Sequence, residues 1–360
     1  MNESRSQEIA VVGAGIVGLC TAYALVTHGA KVHLYEQGAP GAAQSGGQTR
    51  LFRHSHDDPR LVVLARRSRA LWHEWSARLG VELVSSDGSV VLGSSAGTIL
   101  SQLERHHVPA RFLSAAELRD RLPALAPYDG PAVLDQSAGA IRAHAAVSTL
   151  AARLGPRLIA DEVLAIEPTR HGTVEIRSGG GCREFAGVVV CAGANTAQLA
   201  QRAGVTIPLT TAVHVRATFG LRLPASSRLA CLQDRSEAFS PFGAYGAPLP
   251  DGRSYAVGIS HASDSEETGL ASIVDRTSDY VAAALPGLDP EPVALRHCRV
   301  TTLPWGSDGV AVWEHERVFY LAGHNLFKHA PVIGDALARA ALGQPLDDEL
   351  RPAAQLGAAL

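Results

Sequence analysis

The hydrophobic pattern at the start of the chain predicts a strand, a helix and a second strand. Residues Glu8 to Val12 (EIAVV) form a short β-branched run, which favours a buried strand. The stretch LCTAYALVTHGA is predicted to be helical, and Lys31 to Glu36 (KVHLYE) returns to a strand pattern. A long helix is predicted from about Pro59 to Leu79, with Gly80 as its stop signal. Strands that alternate with helices indicate an α/β fold.

Later parts of the chain add further strands. Val188 to Cys191 is a continuous apolar run, as expected of a parallel strand that is buried on both faces. Residues 213–219 and 254–260 have strand patterns, and the Pro/Gly-rich segment 241–252 is predicted to connect them. The C-terminal DDELRPAAQLGAAL is predicted to be a loosely held tail.

A glycine motif with chemical meaning lies between the first strand and the first helix. Gly13 suits a tight turn, Gly15 allows the backbone to approach a pyrophosphate, and Gly18 allows the helix to pack closely on the sheet. Glu36 ends the second strand, where a carboxylate accepts hydrogen bonds from ribose hydroxyls. The complete unit predicts dinucleotide binding, and the acid favours FAD or NAD over NADP.

The next residues favour FAD over NAD. In an NAD enzyme the βαβ repeats usually follow one another directly. Here the third strand is postponed, and a polar glycine-rich loop, residues 38–47, follows the second strand. A loop of this kind beside the cofactor is typical of flavoproteins.

Composition limits the other possibilities. The chain has 360 residues, 46% apolar and 19% charged, with a net charge of -3, which predicts two domains and no nucleic-acid partner. No apolar run approaches the roughly 20 residues that cross a bilayer, and the polar N-terminus leaves no room for a signal peptide, so a cytoplasmic enzyme is expected. The 5 cysteines lack paired spacing, and the histidine pairs at 54/56 and 106/107 lack a third ligand. No metal site or disulfide is predicted.

The chain resembles the monomeric sarcosine oxidase and N-methyltryptophan oxidase group of the D-amino acid oxidase-like flavoproteins. The resemblance covers most of the chain and rests on the order and spacing of several motifs. Beyond the glycine motif these are SGGQTRLFRH, GAIRAHAAVSTLAARLG followed by VLAIE, VVVCAGANT, YGAPLPDGRSYAVGISH, CRVTTLP and AGHNLFKHAPVIGDAL.

The resemblance implies a two-domain amine oxidoreductase fold. A Rossmann-like FAD-binding domain would be assembled from residues 1–85, 140–212 and 298–345, and a mixed β-sheet substrate domain from residues 86–139 and 213–297, with 346–360 as a C-terminal tail. The resemblance places these residues against FAD: Gly13, Ala14, Gly15, Ile16, Val17, Gly18, Glu36, Gln37, Gly47, Thr49, Arg50, Val163, Ala192, Gly193, Cys298, Gly323, Asn325, Leu326, Phe327 and Lys328.

Two cations are candidates for binding a substrate carboxylate. The resemblance implies that Arg53 binds the carboxylate, that Lys328 joins it, and that Arg50 lies against the flavin. An arginine suits this task because its planar group donates two parallel hydrogen bonds. Arginines that are solvated or hold cofactor phosphates remain the alternative. For Lys328 the alternative is a surface lysine at a helix start, which the helix dipole disfavours because the helix is predicted to begin at about Pro331.

Three more residues have roles by resemblance. Cys298, in CRVTTLP, would form a thioether to the flavin 8-methyl group, whereas an inert buried cysteine is the alternative. Tyr245 and His261 would lie beside the substrate, and packing is the alternative for each.

The chain departs from the family pattern at one functional position. Family oxidases carry an oxygen-activating lysine on the strand before His261, whereas this chain has Ala256 or Val257 there and only two lysines in all, Lys31 and Lys328. A positive charge near the reduced flavin stabilises the anion formed from oxygen, so slow or rerouted reaction with oxygen, or compensation by His261, Arg50 or another arginine, is predicted.

The function that follows is oxidation of a small secondary, N-methyl or cyclic α-amino acid to its imine, by hydride transfer to flavin N5 and reoxidation by O2. A primary-amine substrate is also open. Two alternatives are a dehydrogenase that passes electrons to another acceptor and a flavin-binding protein without turnover. An NAD-dependent dehydrogenase is disfavoured by the glycine-rich loop.

Overall fold

The computed structural model describes residues 8–222, 228–259 and 270–358, and for Leu270 and Cys298 it describes the backbone alone. In these ranges the helices are α1 (Ile16–Thr27), α2 (Pro59–Leu79), α3 (Ala96–Arg105), α4 (Ala115–Arg121), α5 (Ala143–Leu154), α6 (Thr196–Arg202), α7 (Leu270–Ala284) and α8 (Ala330–Ala341). The strands are β1 (Glu8–Val12), β2 (Lys31–Glu36), β3 (Thr49–Phe52), β4 (Ser89–Leu92), β5 (Ala110–Phe112), β6 (Ala132–Asp135), β7 (Gly139–Arg142), β8 (Leu158–Ala160), β9 (Val163–Pro168), β10 (Val174–Ser178), β11 (Gly181–Phe185), β12 (Gly187–Val190), β13 (Thr210–Leu221), β14 (Cys231–Asp234), β15 (Ala244–Pro248), β16 (Ser254–Ile259), β17 (Leu288–Thr302), β18 (Val310–His315) and β19 (Val318–Gly323). None of these helices combines the length and apolar character that crossing a bilayer requires.

The chain divides into two units. The first comprises the described residues up to Gly46, Ala145–Ala212 and those from Arg299 onward, and the second comprises Gly47–His144 and Val213–Cys298. Residues 47–85 therefore belong to the second unit, whereas the family resemblance implies that they belong to the FAD-binding domain. The predicted domain boundaries stay a prediction.

The first unit is built on a six-stranded sheet with the order β18-β19-β12-β1-β2-β8. The pairs from β19 to β8 are parallel, and β18 is an antiparallel edge strand. Side chains of β1 and β12 such as Ala10, Val188 and Val190 lie in one buried cluster with β9, β10 and β19. The continuous apolar runs of β1 and β12 therefore reflect burial on both faces, as the sequence predicts.

Helices α1 and α8 of the first unit cross at very short range. A Cβ added to Gly334 of α8 would lie 2.8 Å from the backbone of Cys20 in α1. A glycine at the crossing permits this approach, so the helix that opens with the dinucleotide motif is held by the C-terminal helix.

The C-terminal segment of the first unit differs from the expected loose tail. Leu346, Leu350 and Leu356 are buried, and the carbonyl of Leu356 accepts hydrogen bonds from Val310 N at 3.0 Å and Trp305 Nε1 at 3.1 Å. Spaced leucines therefore fasten residues 346–358, because their burial offsets the ordering of the chain.

The second unit is built on an eight-stranded sheet with the order β17-β13-β16-β15-β14-β4-β6-β5, and a separate pair joins β3 to β7. The segment 241–252, predicted as a connection, contains the strand β15, which pairs with both β14 and β16. Its glycine and proline are compatible with a strand because Gly246 makes room for the ring of Tyr255, whose Cε1 would lie 2.4 Å from an added Cβ, and Pro248 is the last residue.

The long helix α2 of the second unit has the bounds that its sequence predicts. Asp58 caps its start by accepting from Arg60 N at 2.9 Å, Pro59 is the first residue, and Gly80 ends it in the left-handed conformation with φ +69°. These three signals lie within or next to the helix itself, so both of its ends can be predicted from the local sequence. The helix leads away from β3, which carries the arginine motif.

Candidate functional site

The glycine turn of the first unit requires its glycines for steric reasons. Gly13 has φ +98°, and a Cβ there would lie 2.5 Å from the carbonyl oxygen of Cys191. A Cβ on Gly18 would lie 1.9 Å from the carbonyl oxygen of Gly13. The turn and the start of α1 are therefore folded against each other and against the end of β12, with no space for a side chain at either position. Desolvation raises the pKa of the Cys191 thiol to about 12, so this half-buried cysteine is protonated at neutral pH.

Glu36 binds the glycine turn to the end of β2. Its Oε2 accepts from Ala14 N at 2.7 Å, and its Oε1 accepts from Gly38 N at 2.9 Å. At the start of α1, Ile16 N donates to Ser45 Oγ at 2.9 Å. The acid and the helix start thus lie at one turn, as the dinucleotide motif predicts.

The predicted cofactor residues of the first unit lie mostly at one edge of its sheet. The glycine turn follows β1, Gln37 follows β2, Ala192 and Gly193 follow β12, and the segment from Gly323 to Lys328 ends or follows β19. These four strands are parallel neighbours, so their carboxyl ends share an edge, which is where open α/β sheets bind nucleotides. Val163 is separate, because it is the first residue of β9 in another sheet.

The residues present fit a dinucleotide. A Cβ added to Gly193 would meet no atom within 4 Å, and one on Gly15 would meet only Ser45 Oγ, at 3.4 Å. The backbone at Gly193 and Gly15 therefore has open space beside it, which permits the close approach of a ligand at this edge. In the second unit, the buried hydroxyl of Thr49 has no hydrogen-bond partner among the described residues. An unpartnered buried hydroxyl suits a residue predicted to contact a cofactor.

Lys328 is buried in the first unit, which contradicts a solvated surface lysine. It is 5% exposed and lies in a 3-10 turn, Leu326–His329, directly before α8. Its Nζ donates to the carbonyl of Asn325 at 3.3 Å. Asn325 is left-handed with φ +53° and donates from Nδ2 to Asp308 Oδ1 at 2.6 Å. Because a buried ammonium is costly, its position calls for polar partners or an anionic ligand.

The two predicted arginines of the second unit are held by backbone carbonyls. Arg50, on β3, donates from Nη1 to the carbonyl of Thr49 at 2.8 Å, and Arg53, just beyond β3, donates from Nη1 to the carbonyl of Ser55. Gly47 has φ +99°, and a Cβ there would lie 3.1 Å from both Arg50 Nη1 and Arg296 Cδ. The glycine therefore leaves room for two arginine side chains.

A buried polar network fixes the segment that carries Arg53. Asp135 is 0% exposed and accepts at Oδ2 from His54 N at 3.0 Å and from His54 Nδ1 at 2.9 Å. Ser55 Oγ donates to Gln233 Oε1 at 3.0 Å, and Gln233 Nε2 donates to Ser89 Oγ at 3.2 Å. Strands β6, β14 and β4 thus hold both residues that follow Arg53. A fully bonded buried network of this kind makes one arrangement rigid.

Tyr245 lies over a glycine on the neighbouring strand. It pairs with Gly258, and a Cβ on Gly258 would lie 2.5 Å from the Cζ and hydroxyl oxygen of Tyr245. Ala256 shares this face of β16, because side chains two residues apart point the same way. Val257 is 0% exposed and lies in the hydrophobic core on the opposite face. Of the two positions that could match the family's lysine, Ala256 and Val257, Ala256 is therefore the one on the same face as Tyr245.

The predicted site residue His261 lies outside the described residues, and Cys298 is described only as backbone within β17.

Sequence patterns did not reveal the supporting residues. Ser45 lies inside the predicted glycine-rich loop, which could have drawn attention to its hydroxyl. Asp135 and Gln233 gave no signal, since each lies near the end of a short strand that has no motif around it.

The glycine turn with its acid and the buried arginine-bearing segment define the class as a dinucleotide-dependent α/β oxidoreductase. A family model described as "FAD dependent oxidoreductase" (DAO) matches residues 8–340. The chain belongs to this DAO family, and its cofactor is FAD.

Relatives of known name agree with this family. The chain is 28% identical to the peroxisomal sarcosine oxidase of Homo sapiens over 362 residues, which covers 91% of this chain and 90% of the relative. It is 28% identical over 151 residues to the N-methyl-L-tryptophan oxidase of Yersinia pestis (strain Pestoides F), which covers 40% of this chain and 41% of the relative.

Solved structures show the same fold. NikD, an amino acid oxidase essential for nikkomycin biosynthesis, matches in an open form with a TM-score of 0.81 and 20% identity, covering 98% of each chain. The L-proline dehydrogenase from P. horikoshii matches with a TM-score of 0.82 and 19% identity, covering 96% of each chain. At these identities the likeness shows the fold alone.

Proposed function

We propose that this enzyme oxidises a secondary, N-methyl or cyclic α-amino acid to the corresponding imine, followed by reoxidation with dioxygen. The names of two relatives support the substrate class, because sarcosine and N-methyl-L-tryptophan are both N-methyl amino acids. The family supplies the FAD dependence.

The observation that carries the proposal is the fixed position of Arg53. Its two following residues are anchored by buried hydrogen bonds to Asp135 and Gln233. A protein that only stored flavin would have no need for a rigid guanidinium next to a buried network. A carboxylate is a suitable ligand for a guanidinium, which can donate two parallel hydrogen bonds to it.

Arg53 and the other predicted site residues each have a proposed role. Arg53 and Lys328 bind the substrate carboxylate, Tyr245 and His261 border the substrate, and Arg50 contacts the cofactor. When bound, FAD accepts the hydride from the carbon next to the amine. The protein residues orient the amino acid so that this carbon, rather than the side chain, reaches the cofactor.

The test is an anaerobic titration of the purified, FAD-loaded enzyme with sarcosine, other N-methyl amino acids, L-proline and pipecolate. At least one should bleach the yellow flavin absorbance, and matching primary amino acids should do so more slowly. If no amino acid of either kind bleaches the flavin, the proposal is wrong and a flavin-binding protein without turnover is favoured.

A dehydrogenase is the second candidate, and one position favours it. Ala256 brings no charge to the strand on which the family resemblance implies an oxygen-activating lysine. Turnover of the bleaching amino acid should be compared in air and, without oxygen, with an electron-accepting dye. Turnover with the dye alone would favour the dehydrogenase.

We further propose a covalent bond between Cys298 and the flavin. Acid precipitation of the native enzyme should then give a yellow pellet, and Cys298→Ser should release the colour into the supernatant. Cys182→Ser is the matched control, because Cys182 is an exposed free thiol. A colourless pellet from the native enzyme would contradict the bond while leaving the FAD dependence intact.

A further inference from the structure

Two arginines of the second unit converge on one carbonyl oxygen. Arg50 Nη1 donates to the carbonyl of Thr49 at 2.8 Å, and Arg216 Nη1 donates to the same oxygen at 3.2 Å. Because both bonds end on one atom, the two guanidinium nitrogens lie within roughly 6 Å of each other. Neither group can lose its proton in a protein. Two permanent positive charges are therefore held side by side, which favours an anion at this place.

The strand pairing places Arg216 on the face that lacks the lysine. On β13, Thr218 is opposite Ala256 of β16. Residues two apart on a strand share a face, so Arg216 and Thr218 lie on the same side as Ala256. Tyr245 lies on this side too, over Gly258. The opposite side is the hydrophobic core, with Ala217 and Val257.

The residues beside Arg216 on β16 are small, at positions that could otherwise carry a long cationic side chain. Ala256 and Gly258 carry little or no side chain, whereas Arg216 reaches from the adjacent strand to the carbonyl of Thr49. This reach brings its charge beside Thr49 and Arg50, both of which are proposed to contact FAD. The charge absent from β16 is thus present on β13.

We infer that Arg216 supplies the positive charge that stabilises the anion formed when reduced FAD passes electrons to dioxygen. In this step reduced FAD gives up two electrons and two protons, dioxygen takes up both, and oxidised FAD and hydrogen peroxide result. The first electron converts dioxygen to superoxide, whose charge a fixed cation in a site of low polarity stabilises strongly. The inference deepens the proposed function and rests on it.

The experiment measures reoxidation without a substrate. Wild-type enzyme and the variants Arg216→Gln and Arg216→Lys are loaded with FAD, reduced by light under anaerobic conditions and mixed with oxygenated buffer. Arg216→Gln should reoxidise about ten- to a hundredfold more slowly, which corresponds to a loss of about 1.4 to 2.7 kcal/mol of charge stabilisation. Arg216→Lys should retain most of the rate.

A second readout does not depend on turnover. Sulfite forms an anionic adduct with oxidised flavin, and spectral titration should show about tenfold weaker sulfite binding in Arg216→Gln. Arg253→Gln, which removes an exposed arginine preceding β16, is the matched control and should leave both readouts unchanged. FAD content and far-UV circular dichroism confirm that each variant is folded.

A compensating variant tests whether a positive charge on this face of the sheet is what speeds reoxidation. Ala256→Lys in the Arg216→Gln background should restore reoxidation to within a few fold of wild type, because it returns a cation to the same face of the sheet. Unchanged reoxidation in Arg216→Gln would overturn the inference, as would slow reoxidation of wild type itself. Light reduction keeps this result separate from the amino acid oxidation in the proposed function, which fails if no amino acid bleaches the flavin.

Discussion

Replacing Arg53 with glutamine should lower kcat/KM for the bleaching amino acid by about a hundred- to a thousandfold. A paired, partly buried carboxylate–guanidinium contact is worth about 3 to 4 kcal/mol when one partner is removed, and each 1.4 kcal/mol is a factor of ten. The loss should fall mainly on substrate binding. Anaerobic titration measures the dissociation constant directly, and the FAD content should stay at the wild-type level.

A milder variant separates the contact from the network behind it. Gln233→Leu keeps Arg53 but removes the acceptor of Ser55 Oγ and the donor to Ser89 Oγ. Segment 53–55 should become less rigid, so the dissociation constant should rise about tenfold with a smaller change in the reduction rate. The matched control for Arg53→Gln is Arg119→Gln, which removes the charge of an exposed arginine on α4. If Arg53→Gln binds the amino acid as tightly as wild type does, Arg53 does not bind the substrate carboxylate.

The first unit could be predicted well because its signals are local. The glycine motif, the apolar strands around it and the acid at position 36 lie within 29 consecutive residues, and each feature has a steric or electrostatic cause that sequence alone reveals. The helix α2 was equally accessible, since its cap, first proline and terminal glycine act within its own backbone. Family resemblance added the C-terminal segment that carries Lys328.

The second unit was harder because its site depends on distant partners. His54 and Asp135 are 81 residues apart, and Ser55 and Gln233 are 178 residues apart. No periodicity connects such pairs. Strand β15 was missed because Gly246 and Pro248 are turn residues by composition, and only the pairing with β14 and β16 overrides that tendency. Arg216 occupies an ordinary alternating position of a predicted strand, and its meaning appears only with its bond to Thr49.

Adding a single methyl group at Gly18 should abolish FAD binding. In Gly18→Ala the new Cβ would lie 1.9 Å from the carbonyl oxygen of Gly13, a backbone atom that cannot rotate away. Relief requires the turn to move, although Gly13 N donates to the carbonyl of Tyr35 at 2.8 Å and Ala14 N donates to Glu36. We expect colourless protein that is about 3 kcal/mol less stable, at the upper end of the usual cost of overpacking, because the atom that the new Cβ meets belongs to the backbone. The measurements are the ratio of FAD to protein and the thermal midpoint.

The control for this variant is a glycine of the same unit with no steric role. Gly155 lies in a short 3-10 helix, and a Cβ there would meet no atom within 4 Å. Gly155→Ala should bind a full complement of FAD and gain up to about 1 kcal/mol, because alanine restricts the unfolded chain. Full FAD content in Gly18→Ala at an unchanged thermal midpoint would show that the turn tolerates a side chain. In that case, the close contact between Gly13 and Gly18 would not determine the shape of the phosphate-binding end of the cofactor site.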